Sequence, residues 1–331
     1  MSAPNPYADD AVTYEPSAVT APVVTHVPSG PPNFWRGRRV RLPLILFLLT
    51  CLSTFVAGAT HGMAVEYLFQ TSLLPLRQAI YANFYNGVLY MVCVLAILLT
   101  HEMGHFVASL FYRVRASLPY FVPFPLSPIG TMGAVIVMQG HTANRKQIFD
   151  IGLAGPLAGL VVAIPIAWIG IARLDFSPSQ GEIALQAPLA MRMAIDYAHP
   201  GRYDPQVGIP LKGMNAWYMA GWVGLLVTGL NMLPVSQLDG GHVTYALFGK
   251  TAHWIARLFM LLAFLYMGYV AIVYLTVPSW IFMAFLVFAL GTSHPPTRDD
   301  SVPLGWFRTV LGWLSLLIPI FCFVPNLFIE S

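Results

Sequence analysis

Four arginines, Arg36, Arg38, Arg39 and Arg41, stand directly before Leu42–Thr60, a run without a single charged residue. A stretch of that length crosses the hydrocarbon core of a bilayer as a helix. Similar apolar runs follow at 84–112, 148–172, 216–233, 253–277 and 302–324, with a shorter one at 280–291. In lipid every backbone polar group must be satisfied within the segment, so these runs are expected to be helices. Composition agrees. Hydrophobic residues make up 57% of the 331 and Asp, Glu, Lys and Arg only 9%, against about 25% charged in a soluble domain. That excludes a soluble fold and a wholly disordered chain. The net charge of +3 gives no footprint for nucleic acid, so no nucleic-acid partner is expected.

The fold class that follows is an all-α membrane protein, a multi-pass helical bundle of about six or seven transmembrane helices. Residues 1–40 differ from the rest. They are rich in proline without a long apolar run, and read as a disordered N-terminal tail. The arginine cluster at its end is expected to stay in the cytoplasm by the positive-inside rule. With seven crossings, only Arg77, Arg173, Arg192, Arg202 and Lys212 fall outside, and the other twelve of 17 basic residues fall inside or at inner helix ends. The run at 280–291 is short for a crossing, and a re-entrant segment there would move the C-terminus to the other face. The Trp and Tyr residues read as interfacial anchors and packing. Cys51, Cys93 and Cys322 each sit in an apolar run and form neither a disulfide framework nor a zinc site.

The run at 84–112 contains His101-Glu102-Met103-Gly104-His105. Residues four apart share one helix face, so both imidazoles can hold one zinc ion, and the glutamate between can act on the water that the metal activates. Ionisable groups inside an apolar helix are expensive and are functional hypotheses by default. Zinc needs a third protein ligand. None of the other glutamates, Glu15, Glu66, Glu182 and Glu330, lies in a run at the right depth. Asp239 does, in NMLPVSQLDGG at the end of the 216–233 run, where Pro234 and the paired glycines are expected to break the helix and turn the carboxylate inward. Between the second and third runs, SLPYFVPFPLSPIGTMGAVIVMQGHTANRK is poor helix material. It reads as a loop with one or two short strands, a membrane-associated β-hairpin or strand segment near the site. His141 in that segment and His242 beside Asp239 are secondary candidates. Asp150 reads as an acid favouring a helix N-terminus.

HExxH in one membrane helix and NxxPxxxLDG in a later one resemble the site-2 protease family of intramembrane zinc metalloproteases. Gly152-Leu153-Ala154-Gly155-Pro156 is similar to that family's AGP-type segment. The resemblance covers roughly residues 84–250. It implies one zinc ion per chain, held by His101, His105 and Asp239, with Glu102 as catalytic acid and base and Asn231 as a second catalytic residue that holds the substrate strand or the oxyanion. It implies an endopeptidase that cleaves transmembrane segments of other membrane proteins in regulated intramembrane proteolysis. Partners would be the transmembrane substrate, the lipid bilayer and an adaptor protein for substrate selection. About 40 residues between the third and fourth runs leave no room for the PDZ domain many bacterial members carry, so the resemblance is to a compact, bacterial-type member. The expected setting is a bacterial plasma membrane, with the N-terminus and active site toward the cytoplasm.

The organisation expected on this basis is a tail over 1–40, a first transmembrane helix with its outer loop over 41–82, a catalytic membrane core over 83–252, and additional transmembrane helices over 253–331. Two other readings remain open at this stage. One is a catalytically inactive scaffold of the same fold. The other is an ion or solute transporter using the intramembrane histidines and acids, which would show paired repeats that this sequence lacks.

Overall fold

The computed structural model describes residues 40–68, 72–176, 183–235, 237–275, 284, 297–324 and 328–330. The N-terminal tail and the short run at 280–291 lie outside the described residues, apart from residues 40 and 284. Helix α1 is Arg41–Ala59, followed by two short helices, α2 (Ala64–Leu68) and α3 (Leu74–Ala82). The long helices α4 (Phe84–Phe111) and α5 (Arg145–Ala172) have 28 residues each. After them come α6 (Leu189–Ala198), α7 (Ala216–Asn231), α8 (Asp239–Phe248) and α9 (Ala252–Val273). The last helices among the described residues are α10 (Trp306–Ser315) and α11 (Ile318–Cys322).

Among the described residues, four helical segments are long and apolar enough to cross a membrane: Arg41–Ala59, Phe84–Phe111, Arg145–Ala172 and Asp239–Val273. The last combines α8, a short 3-10 turn and α9. The chain is an integral membrane protein. The expected span at 302–324 is instead two helices, broken at Leu316–Leu317. Pro319 explains the break, because a proline has no N–H for the carbonyl four residues earlier and its ring clashes there.

Helix α5 starts at Asn144, whose side chain accepts from the Gln147 N–H while Gln147 Oε1 accepts from the Asn144 N–H. This reciprocal cap satisfies two donors that a helix start leaves open. Asn215 caps α7 by accepting from Tyr218 N–H. Asp150 therefore sits in the second turn of α5, not at its opening as expected.

The core forms where α4, α5 and α7 meet, with α1 against α4. Lipid supplies no hydrophobic drive between helices, so close backbone approach has to hold them. Glycines permit it. A Cβ on Gly104 would stand 2.5 Å from the Ala154 carbonyl oxygen, and one on Gly221 2.4 Å from Ala167 Cα. Between α4 and α5 the chain forms an antiparallel hairpin of β1 (Tyr120–Pro123) and β2 (Thr131–Val135), with Tyr120 opposite Val135 and Phe121 opposite Ala134. The Tyr90 hydroxyl of α4 donates to the Ile129 carbonyl at 2.8 Å and ties the hairpin turn to the bundle.

A second sheet was not expected. It has the order β4–β3–β5, from β3 (Ile183–Leu185), β4 (Ile209–Pro210) and β5 (Phe328–Glu330). Residues 298 and 299 bond to the start of α5, while β5 pairs in the loop after its end. The final segment thus bonds to the start of α5 at one end and pairs with β3 at the other.

Candidate metal centre

Helix α4 brings His101, Glu102 and His105 together because four residues make little more than one turn. All three are buried, at 2%, 4% and 6% exposure. Placing a charged group at mid-membrane costs roughly 2.5 to 3.5 kcal/mol on insertion scales. That cost is tolerable only where polar partners converge, and here they do. His101 Nε2 lies 3.1 Å from Asp239 Oδ2, and His105 Nε2 lies 3.2 Å from Asp239 Oδ1. The three potential ligand atoms lie within 4.8 Å of one another. Among the described residues this is the one group of three or more His, Cys, Asp or Glu side chains so arranged.

The position of Asp239 differs in detail from the expectation. Helix α7 stops at Asn231, Pro234 lies in the turn that follows, and Asp239 is the first residue of the new helix α8. Gly240 and Gly241 do not break a helix but sit inside α8. A Cβ on Gly240 would come within 2.1 Å of the Met232 carbonyl oxygen. Its missing side chain lets α8 start tightly against the end of α7, which puts the Asp239 carboxylate between the two histidines.

His105 Nδ1 lies 2.7 Å from the Ile151 carbonyl oxygen of α5. A carbonyl only accepts, so Nδ1 carries a proton and Nε2 is the ring nitrogen that faces Asp239. This is the usual second hydrogen bond of a metal-binding histidine. Two glycines of α5 make room for the rings. A Cβ on Gly155 would fall 2.0 Å from His105 Nε2, and one on Gly159 would fall 3.1 Å from His101 Nδ1. Two imidazole nitrogens and a carboxylate, with one ring's orientation fixed from outside, fit zinc.

Glu102 is buried beside the pair, with the backbone N–H of Ile136, just beyond β2, acting on its carboxylate. Asn231 Nδ2 lies 3.3 Å from His101 Nε2, so Asn231 also reaches the cluster. His141 is exposed on a short helical turn. His242, half-buried one turn along α8, packs against Gly152. Neither belongs to the three-residue group. Asp150 does not act on a helix start. It receives both Nε and Nη2 of Arg308, at 2.7 and 2.9 Å, and the Tyr112 hydroxyl.

The sequence reading missed the Ile151 carbonyl, the Ile136 N–H, and the roles of Gly155 and Gly159. The signal for the glycines was there. Gly152, Gly155 and Gly159 recur at helical spacing and line one face of α5. The two backbone contacts leave no trace in side-chain identity.

Comparison with known proteins bears on this geometry. The family model described as Peptidase family M50 matches residues 89–201 and 205–275. Relatives include the probable zinc metalloprotease EGY1, chloroplastic, of Arabidopsis thaliana, 28% identical over 89% of this chain and 54% of its own. The protein of the same name from Oryza sativa subsp. japonica is 31% identical over 67% of this chain and 40% of its own. The probable zinc metalloprotease EGY2, chloroplastic, of Arabidopsis thaliana is 27% identical over 59% and 36%. The chain thus spans about half the length of the first of these relatives and less of the other two.

Proposed function

The chain belongs to peptidase family M50, the site-2 protease family whose motifs it carries, and from that premise we propose that it is a membrane zinc endopeptidase cutting transmembrane segments of other membrane proteins. The observation that carries the proposal is the meeting of His101, His105 and Asp239 from two separate helices around one point, with Glu102 buried alongside.

One zinc ion per chain would be held by the three ligand side chains. Bound there, it supplies Lewis-acid polarisation of a carbonyl and activation of water. Glu102 takes the proton from the attacking water and returns it to the leaving amine. The Ile136 N–H keeps the carboxylate aimed while it is charged. The Asn231 amide donates to the oxyanion as it develops, an interaction worth most where bulk water is excluded.

A substrate helix hides its carbonyls in its own hydrogen bonds and must unwind before attack. Among the described residues the β1–β2 sheet has two strands, and the outer edge of β2 has no strand partner. Val135 at the end of β2 and Val137 just beyond it are 54% and 66% exposed. We assign that edge to the unwound segment, which would join as an added strand. The continuation at Ile136 would then deliver a scissile bond next to Glu102.

The active site is assigned to the membrane face carrying the arginine cluster, the cytoplasm in a bacterial plasma membrane. The relatives described above carry chloroplastic in their names. Regulated proteolysis, with an adaptor presenting the substrate, is the setting this activity would serve.

The test is cleavage by the full chain reconstituted in liposomes with single-span reporter proteins, the products read by mass spectrometry. Zinc-dependent cuts within the reporter's membrane segment are expected. Cuts confined to soluble flanks, or unaffected by chelation, would overturn the proposal.

A further inference from the structure

The family match ends at residue 275, yet residues beyond it fasten the elements that carry the metal centre. Arg298 N–H donates to the Ala143 carbonyl at 2.9 Å, and Arg145 N–H donates to the Asp299 carbonyl at 3.1 Å. These two bonds pin the segment to the start of α5. The Tyr245 hydroxyl of α8 donates to Asp300 Oδ2 at 2.8 Å. Arg145 crosses in the other direction, its Nε and Nη2 donating to the Ala246 and Leu247 carbonyls at 2.6 and 3.2 Å. That satisfies two carbonyls at the end of α8, where a helix lacks partners of its own. Leu304 is buried in one apolar cluster with Phe149 and Leu153 of α5, Met232, and Val243 and Ala246 of α8. Arg308 then closes the bidentate pair with Asp150, which also takes the Tyr112 hydroxyl at the end of α4.

Each anchored element contributes to the site. Helix α4 carries both histidines and α8 carries Asp239. Helix α5 supplies the Ile151 carbonyl that fixes His105, one residue after Asp150. We propose that residues 297–308 form a strap, with Arg308 and Asp300 as positioning residues, that holds α4, α5 and α8 in the register at which the three ligands meet. Resting on the zinc reading above, the strap acts through Asp150 and Tyr245 and touches neither metal nor substrate. A planar guanidinium gripping both carboxylate oxygens sets orientation as well as distance, which a lysine does not reproduce.

The experiment uses the full-length protein in detergent, stripped and reloaded with Co2+. It records the visible absorption bands, which report ligand geometry, and the rate at which a chelator removes the metal. Wild type is expected to bind Co2+ with a tetrahedral-type spectrum. Arg308→Leu is expected to shift those bands and lose metal about tenfold faster, the lower end for groups that orient metal ligands. Arg308→Lys should fall between. Should Arg308→Leu fail to fold, Tyr245→Phe, which removes one hydroxyl and keeps the ring, decides by the same two readouts. A folded variant with wild-type bands and wild-type metal loss overturns the strap while leaving the zinc reading standing. Wild type that takes up no Co2+ overturns the zinc reading and the strap with it.

Discussion

The Nδ1 atom of His105 lies 2.7 Å from the carbonyl oxygen of Ile151. That bond joins the helix carrying the histidines to the neighbouring helix and selects which ring nitrogen faces Asp239. The packing leaves little room for any other ring orientation, because the space His105 fills is the one that Gly155 leaves open.

Gly155→Ala therefore places a methyl group 2.0 Å from His105 Nε2, closer than any real contact. The ring must rotate away and give up either the Ile151 bond or its approach to Asp239. Metal affinity should fall at least about tenfold. Zinc content after dialysis against a graded chelator measures it, with circular dichroism confirming that the helices remain.

Glu102 is assigned the proton transfers and no place among the ligands. Glu102→Gln keeps shape and removes the base. Cleavage should drop by about a hundredfold or more, within the range for general acid–base groups, while zinc content stays at the wild-type level. Loss of zinc along with activity would make Glu102 a ligand or a structural group instead.

The Ile136 N–H is the backbone donor whose field acts on the Glu102 carboxylate. Ile136→Pro deletes that donor and leaves the ligands untouched. Turnover should fall about tenfold or more, the scale of a lost hydrogen bond to a charged group. Zinc content should hold. Both are read on one preparation by reporter cleavage and metal analysis.

Away from the site, His61 follows α1 with a φ of 50°. Burial holds its imidazole below the ordinary histidine value, about 6.5. The fold therefore favours the neutral ring. This contribution is present above the unfolded value and is lost as pH falls through the folded one. His61→Asn keeps a residue that tolerates positive φ and removes the titration. Wild type should lose more thermal stability than the variant between pH 7 and pH 5, as followed by unfolding in detergent.

Much of this site could be read from local pattern. HEMGH announces itself because helical spacing puts both histidines on one face, and Asp239 follows from a shortage of other acids at depth. The hairpin was legible in the proline and glycine content of residues 117–146. Other features depend on partners far along the chain. Asp150 looked like a helix-start residue until Asn144 proved to be the cap and Arg308, 158 residues away, its ion-pair partner. Gly240 looked like a breaker because nothing local reveals the Met232 carbonyl against it. The split of the last apolar run was written in Pro319, but hydropathy alone reads straight across it.

The central claim is that one metal ion sits between two helices, held by His101, His105 and Asp239. Zinc per chain in the detergent-purified protein, for wild type and Asp239→Ala, tests it most directly. The account predicts about one zinc in the wild type, as a three-ligand catalytic site holds, and little or none in the mutant. A well-folded wild type without zinc, or a mutant that keeps all of it, would contradict the account.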